Sequence, residues 1–123
     1  MSEIEMPSTV RHTPWLYAAS PTLQRGGFAD GSSGKWCIVR PGGEEIDRAW
    51  ALVRAAVDSC RLQLAKVATA ATAWRHGGTH VICVYCPYSS DRENVMRVRL
   101  VLRELGFVEE LGYKTDQATR DGV

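Results

Sequence analysis

Nowhere in this 123-residue chain do roughly 18 consecutive apolar residues occur, so no segment is built to cross a bilayer as a helix. Charge of one sign is lacking too. The 15 Lys and Arg nearly balance the 14 Asp and Glu, for a net charge of +1, whereas sequence-independent nucleic-acid binding rests on a clear cationic surplus. The opening MSEIEMPSTVRH has acids where a secretory leader has a basic segment followed by an apolar one, so a cytoplasmic protein is expected. Histidine is scarce: His12, His76 and His80 lack the i, i+4 spacing of a helical metal site and have no carboxylates in company, so no metal and no other cofactor is expected. Gly26-Gly27 and Gly42-Gly43 lack the residues that complete a phosphate-cradling loop.

Cysteine is sparse, and its four positions, Cys37, Cys60, Cys83 and Cys86, all fall in apolar periodic segments, as reduced packing residues do. The stretch THVICVYC does hold a Cys-x-x-Cys pair. Its β-branched and aromatic content reads as a strand, on which Cys83 and Cys86 point to opposite faces. They cannot share a metal or close an unstrained disulfide there, so both thiols are expected to serve packing.

What is present reads as one α+β domain over residues 1–123. Residues 1–12 are expected to be a flexible lead-in, and Thr13–Tyr17 an edge strand begun by Pro14. Residues 20–34, with Gly26, Gly27, Gly31 and Gly34, form a long glycine-rich loop of the kind that covers ligands. Lys35–Arg40 is a strand. From Glu44 to Cys60 the residues Ile46, Ala49, Trp50, Val53, Ala56, Val57 and Cys60 recur at helical spacing behind an acidic first turn. Leu64–Ala70 and Thr79–Tyr88 pair as a hairpin with Trp74–Gly78 at its tip. Ser90-Asp-Arg-Glu93 has capping-box form, with Ser90 as cap, and opens a helix to Leu105 that Gly106 stops. Its Arg92, Arg97, Arg99 and Arg103 are expected on a solvated face. Leu111–Lys114 reads as a last strand and Thr115–Thr119 as the start of a short helix.

From Gly34 onward the segments GKWCIV, EEIDRAWALVRAAV, AKVATA, HVICVYC, a capped helix ending LRELGF, and LGYKTDQATRDG follow one another. In that order they resemble the Bles03 family (basophilic-leukemia-expressed protein) and bacterial relatives that carry the label phosphothreonine lyase domain. The layout is similar, at greater distance, to cap-binding translation initiation factor 4E: a Gly-x-Trp strand, an Asp-Arg-x-Trp helix, a basic hairpin and a closing Ala-Thr-x-x-Gly turn. The resemblance implies a curved antiparallel sheet backed by helices on its convex face. The initiation factors clasp a methylated guanine between two tryptophans, the second followed by glutamate, and hold phosphates with hairpin cations. Trp15 can supply one plane, and Arg75 and Lys66 the cations, but no Trp-Glu pair exists here. The lyases use a lysine base and a histidine acid in a Lys-x-His motif, which is also absent as a unit.

Lys66 and His80, on strands expected to pair, share a face if the register allows, and a lysine half buried in an apolar cup acquires a pKa suited to a general base. Tyr85 and Lys114 complete the expected catalytic group as donors to a developing oxyanion. Trp15, Phe28, Thr69, Trp74, Arg75, Tyr113 and Asp116 are the expected substrate contacts. The plainer alternatives are a snorkelling edge lysine for Lys66, a hydrogen-bonded strand histidine for His80, turn residues for Arg75 and His76, and helix capping for Asp116. The leading expectation is a small bacterial, cofactor-independent enzyme. It would carry out acid–base elimination, dehydration, cyclisation or addition on a small molecule in the cup, as natural-product biosynthesis requires. The alternative is a non-catalytic module holding a nucleotide or phosphorylated ligand between Trp15 or Trp74 and a basic rim. A third is an interaction protein that meets its partner through the arginine-rich helix. The expected partner is a small-molecule ligand or substrate, with no membrane and no general nucleic acid. A homodimer stays open.

Overall fold

The computed structural model describes residues 5–23 and 32–115. Phe28, Asp116 and Thr119 therefore lie outside the described residues, and so does most of the expected 20–34 loop. Periodicity two builds five strands: β1 (Trp15–Ala19), β2 (Gly34–Pro41), β3 (Leu64–Ala68), β4 (Thr79–Cys86) and β5 (Gly112–Thr115). They form one sheet in the order β1-β3-β4-β2-β5, and every neighbouring pair is antiparallel. The sheet is curved and carries its helices on the convex face.

α1 (Glu44–Asp58) follows the 3.6-residue spacing, burying Ile46, Ala49, Trp50, Val53, Ala56 and Val57, with Glu44, Glu45 and Asp47 in the first turn, but Cys60, expected on the same stripe, lies past the helix end, exposed and at φ 66°. α3 (Arg92–Glu104) turns Val95, Val98, Val101 and Leu102 inward. These side chains meet Ile38, Ala65, Val67, Ile82, Val84 and Cys86 from the sheet to make the core. Trp36 ties the layers together, its Nε1 donating to the Val95 carbonyl at 3.0 Å. Gly34 lets β5 lie flat on β2, because a Cβ there would overlap the Tyr113 hydroxyl.

Several expectations shift. The helix cap is Asp91, not Ser90: its carboxylate accepts from the Asn94 amide at 3.2 Å, so the cap lies one residue later than the Ser-x-x-Glu pattern indicated. Gly106 does end this helix region in the left-handed conformation, at φ 107°. The β3–β4 connection is no simple tip, because Thr69 caps a single turn, α2 (Ala70–Ala73), that runs into a 3-10 turn at Trp74–His76. Thr115 closes β5, with Gly34 as its partner, and the rest of the expected Thr115–Thr119 segment lies outside the described residues. Within the expected lead-in, Pro7 is fully buried and Ser8 donates to Asp47 through its amide at 3.0 Å and its hydroxyl at 2.5 Å. Those two bonds dock residues 7–8 on the first turn of α1.

Arg99 is the largest departure. Only 4% exposed, it donates to the carbonyls of Phe107 at 2.8 Å and Glu109 at 2.6 Å, pinning the segment between α3 and β5. Its position between Val98 and Leu102 is on the apolar stripe, which the count of arginines on this helix obscured. Arg99→Met leaves two carbonyls without their charged donor and should cost about 2–3 kcal/mol in urea unfolding. Arg99→Lys should recover less than half of that, since one ammonium does not reproduce the guanidinium fork.

Candidate functional site

In an antiparallel ladder, residues directly opposite each other put their side chains on the same face, and alternate residues along a strand change face. The register sends Ile82, Val84 and Cys86 of β4 toward the helices and Val81, Cys83 and Tyr85 toward the concave face. Tyr17, Lys66, Cys83 and Cys37 make one row across that face. Leu64, Tyr85, Lys35 and Lys114 make the next. Trp15 stands opposite Ala68 in a third.

Lys35, Lys66 and Lys114 are all the lysines in the chain, and the three share this face. None of the five strands contains Asp or Glu. Aromatic rings accompany the ammonium groups: the Lys66 Nζ lies 4.0 Å from the Trp15 ring centre and 5.9 Å from that of Tyr85, and the Lys35 Nζ lies 5.8 Å from Tyr85. Such ring faces favour a cation by about 0.5–2 kcal/mol and hold the amines in place without cancelling their charge. Beyond Trp15, at the end of the face nearest α2, a cavity of about 310 Å³ is lined by Trp15, Val39, Ala68, Thr72, Arg75 and His76, among others.

The lysines act on a thiol at the centre of the face. Cys83 hydrogen-bonds the Cys37 sulfur and, with the charges of Lys35, Lys114 and Lys66 and against the cost of burial, lowers the Cys37 pKa from 9.0 to about 7. The same bond, with burial, pushes Cys83 up. The pair therefore gives up its first proton at Cys37. A thiol acidified by folding stabilises the fold where it is ionised, so this contribution grows as pH rises from about 7 to 9.0 and is lost below about 7. Cys86, on the opposite face, is raised to about 12 by burial.

The remaining expected site residues divide. Lys66, Tyr85, Lys114 and Trp15 come together on the concave face, and Arg75 reaches the cavity rim. His80 does not join Lys66: its partner on β2 is Arg40, and an even-numbered residue of β3 stands opposite an odd-numbered one of β4, so the two side chains leave opposite faces. His80 is 3% exposed, with Nδ1 2.6 Å from the Ala68 carbonyl, the hydrogen-bonded strand histidine of the plainer reading. Thr69 is fully buried and spent on structure, donating to the Thr13 carbonyl at 2.5 Å and accepting from the Ala71 amide at 3.2 Å. Tyr113 lies on the helix side, its ring 4.9 Å from Trp36 in edge contact, and so is parted from Lys114. Trp74 is 70% exposed, bonds Ala71 through Nε1 and holds the Arg75 guanidinium 5.2 Å from its ring centre. Lys35 and Cys37 were missed because their place on the face depends on pairing with a strand far along the chain.

The Bles03 family model, basophilic leukemia-expressed protein Bles03, matches residues 29–120. The chain belongs to the Bles03 family. The fold of this Bles03-family protein is similar to that of a schistosome eIF4E complexed with m7GpppA and 4E-BP, at TM-score 0.69 and 12% identity over 96% of this chain and 68% of the other. It is equally similar to C. elegans eIF4E-3 with the 4E-binding protein Mextli and cap analog, at TM-score 0.71 and 12% identity over 96% of this chain and 71% of the other. At that identity the likeness establishes the sheet and its helices. No helix of the Bles03-family chain, among the described residues, is long and apolar enough to cross a membrane.

Cysteine reactivity reads out this electrostatic arrangement. With the exposed Cys60 replaced by serine, alkylation of Cys37 by iodoacetamide should be half-maximal near its pKa of about 7. Cys83→Ala, which removes the hydrogen-bond donor, should move that midpoint upward. A midpoint near the free-thiol value of about 8.5 in the parent protein would contradict the assigned environment.

Proposed function

We propose that this protein is a binding module for a phosphate-bearing small molecule, with a nucleotide as the ligand class, held on the concave face. One observation carries the reading: every lysine of a nearly neutral chain lies on a single sheet face whose strands have no carboxylate. A surface so arranged attracts anions well beyond what a net charge of +1 implies. Its dimensions also suit the class. From the Trp15 row to the Lys35 row is two steps of two residues, about 13 Å at about 3.3 Å per residue. That distance accommodates a planar base in the cavity beside Trp15 and a chain of phosphates running over Lys66 toward Lys35 and Lys114. Arg75 at the cavity rim offers a further, bidentate phosphate contact. The solved eIF4E relatives in fold hold m7GpppA or a cap analog, which supports a ligand of this kind.

The elimination reading needs a base and an acid on one substrate. His80 lines the cavity beside Trp15 but leaves the opposite face from Lys66, which among the described residues shares its face with Tyr85, the other lysines and the thiols. Binding requires nothing beyond the charges and rings already in place.

Calorimetric titration with guanosine triphosphate and with inorganic triphosphate tests the proposal. Both should bind, the nucleotide more tightly, and both affinities should fall as salt rises. Lys66→Ala should weaken binding roughly 10-fold or more, the cost of one charged contact, while Lys66→Arg should stay within a few-fold of the parent. No saturable binding of either probe would overturn the proposal. So would a turnover that Lys66→Arg abolishes with binding intact, because guanidinium cannot serve as a base and the acid–base reading would then stand.

A further inference from the structure

We propose that Cys37 and Cys83 form a cross-strand dithiol site that exchanges with a small anionic disulfide and closes to an intramolecular disulfide. The two residues are direct partners in the β2–β4 ladder. Opposed residues of antiparallel strands have Cα atoms about 4.5 or about 5.5 Å apart, according to the kind of pair, and both distances lie within the roughly 4.4–6.8 Å that a disulfide spans. Each thiol also shifts the ionisation of the other, as groups side by side on one face do. Neither alternative partner competes within the sheet, since Cys86 projects from the other face and Cys60 lies outside the strands.

The two thiols have the unequal character that exchange requires. Cys37 is half-buried and is the thiol that ionises first, so it attacks. Its sulfur forms a bond to one sulfur of the small disulfide, the S–S bond of that molecule breaks, and the thiolate released takes a proton from water. Cys83, 4% exposed, stands beside Cys37 on the same face and is the less accessible of the two. While Cys37 is a thiolate, hydrogen bonding to it, burial and its negative charge keep the proton on Cys83. In the mixed disulfide that charge is gone, so burial alone still holds the proton on Cys83 while Lys66 and Lys35 ease its loss. Cys83 releases its proton to water, attacks the Cys37 sulfur and expels the second small thiolate, which is protonated in turn. Two protein thiols are oxidised and one small disulfide is reduced to two thiols.

Charge selects the reagent. Lys35 on β2, Lys66 on β3 and Lys114 on β5 surround the pair, and among the described residues of the five strands Tyr85 and Tyr17 are the other titratable groups facing it and none is an acid. A disulfide bearing carboxylates is drawn to this face and one bearing amines is repelled. That preference rests on the same lysines as the proposed function, whereas the Cys37–Cys83 link does not depend on nucleotide binding.

The test uses the full chain with Cys60→Ser, incubated with oxidised glutathione as the anionic disulfide or cystamine as the cationic one, and followed by intact mass and peptide mapping. Oxidised glutathione should remove about 2 Da, the two thiol hydrogens, and join the Cys37 and Cys83 peptides, at least several-fold faster than cystamine. Cys83→Ser should stop at a glutathione adduct on Cys37, and Cys37→Ser should leave Cys83 unmodified. The unsubstituted chain, mapped the same way, should show the same link. A persistent adduct on Cys37 with Cys83 present, a link through Cys86, or no reaction would overturn the dithiol site. Equal rates with the two reagents would overturn the lysines' part in it while leaving triphosphate binding to be judged by its own titration.

Discussion

Everything on the concave face follows from the alternation of β4. Flanked by β3 and β2, this strand sends Ile82, Val84 and Cys86 into the core and Val81, Cys83 and Tyr85 to the other side. A slip of one residue against either neighbour would exchange the two sets, burying Lys66 or Lys35 among the helices and exposing Ile38 or Val67. Burying an unpaired ammonium in that core costs far more than any single contact provides, so packing against α1 and α3 fixes the register and the register in turn fixes the site.

The site concentrates like charge. Three ammonium groups gathered on one face repel one another, and the molecule moderates this locally, with the rings of Trp15 and Tyr85 and with the acidified Cys37 thiol. Elsewhere its cations are arginines, and several are used as struts: Arg99 on two carbonyls, Arg40 on Glu109 at 2.5 Å, and Arg61 on Glu104. The division of labour is physical. Guanidinium forks hold fixed geometries, while flexible ammonium groups can follow a polyanion.

How much of this the sequence discloses varies with the range of the interaction. α1 was legible because its acidic first turn and its 3.6-residue apolar period are both local. Asp91 was passed over for Ser90 because two adjacent residues are both good caps, and only the helix start decides between them. Lys66 and Trp15, expected together from the sequence, do share the concave face. His80 was wrongly joined to Lys66, because the parity of β3 against β4 is set by a connection that folds into α2 and a 3-10 turn, and its length does not fix the register. Lys35 and Cys37 are strand residues with no local signature. One signal was available: a chain with only three lysines carries all of them in predicted strands, where a charge finds a face and not a loop. The resemblance in segment order to the Bles03 family and to the 4E-type initiation factors carried the fold, which is the part that non-local pairing hides.

Having three lysines and no more makes the central claim open to direct observation. Reductive methylation with a carbon-13 label gives each lysine one NMR signal, assigned by single Lys→Arg substitutions, and guanosine triphosphate is then titrated in. If the three lysines hold the nucleotide together, the Lys35, Lys66 and Lys114 signals shift saturably with one common dissociation constant. Signals that stay in place at saturating nucleotide, or that move with unrelated affinities, would contradict it.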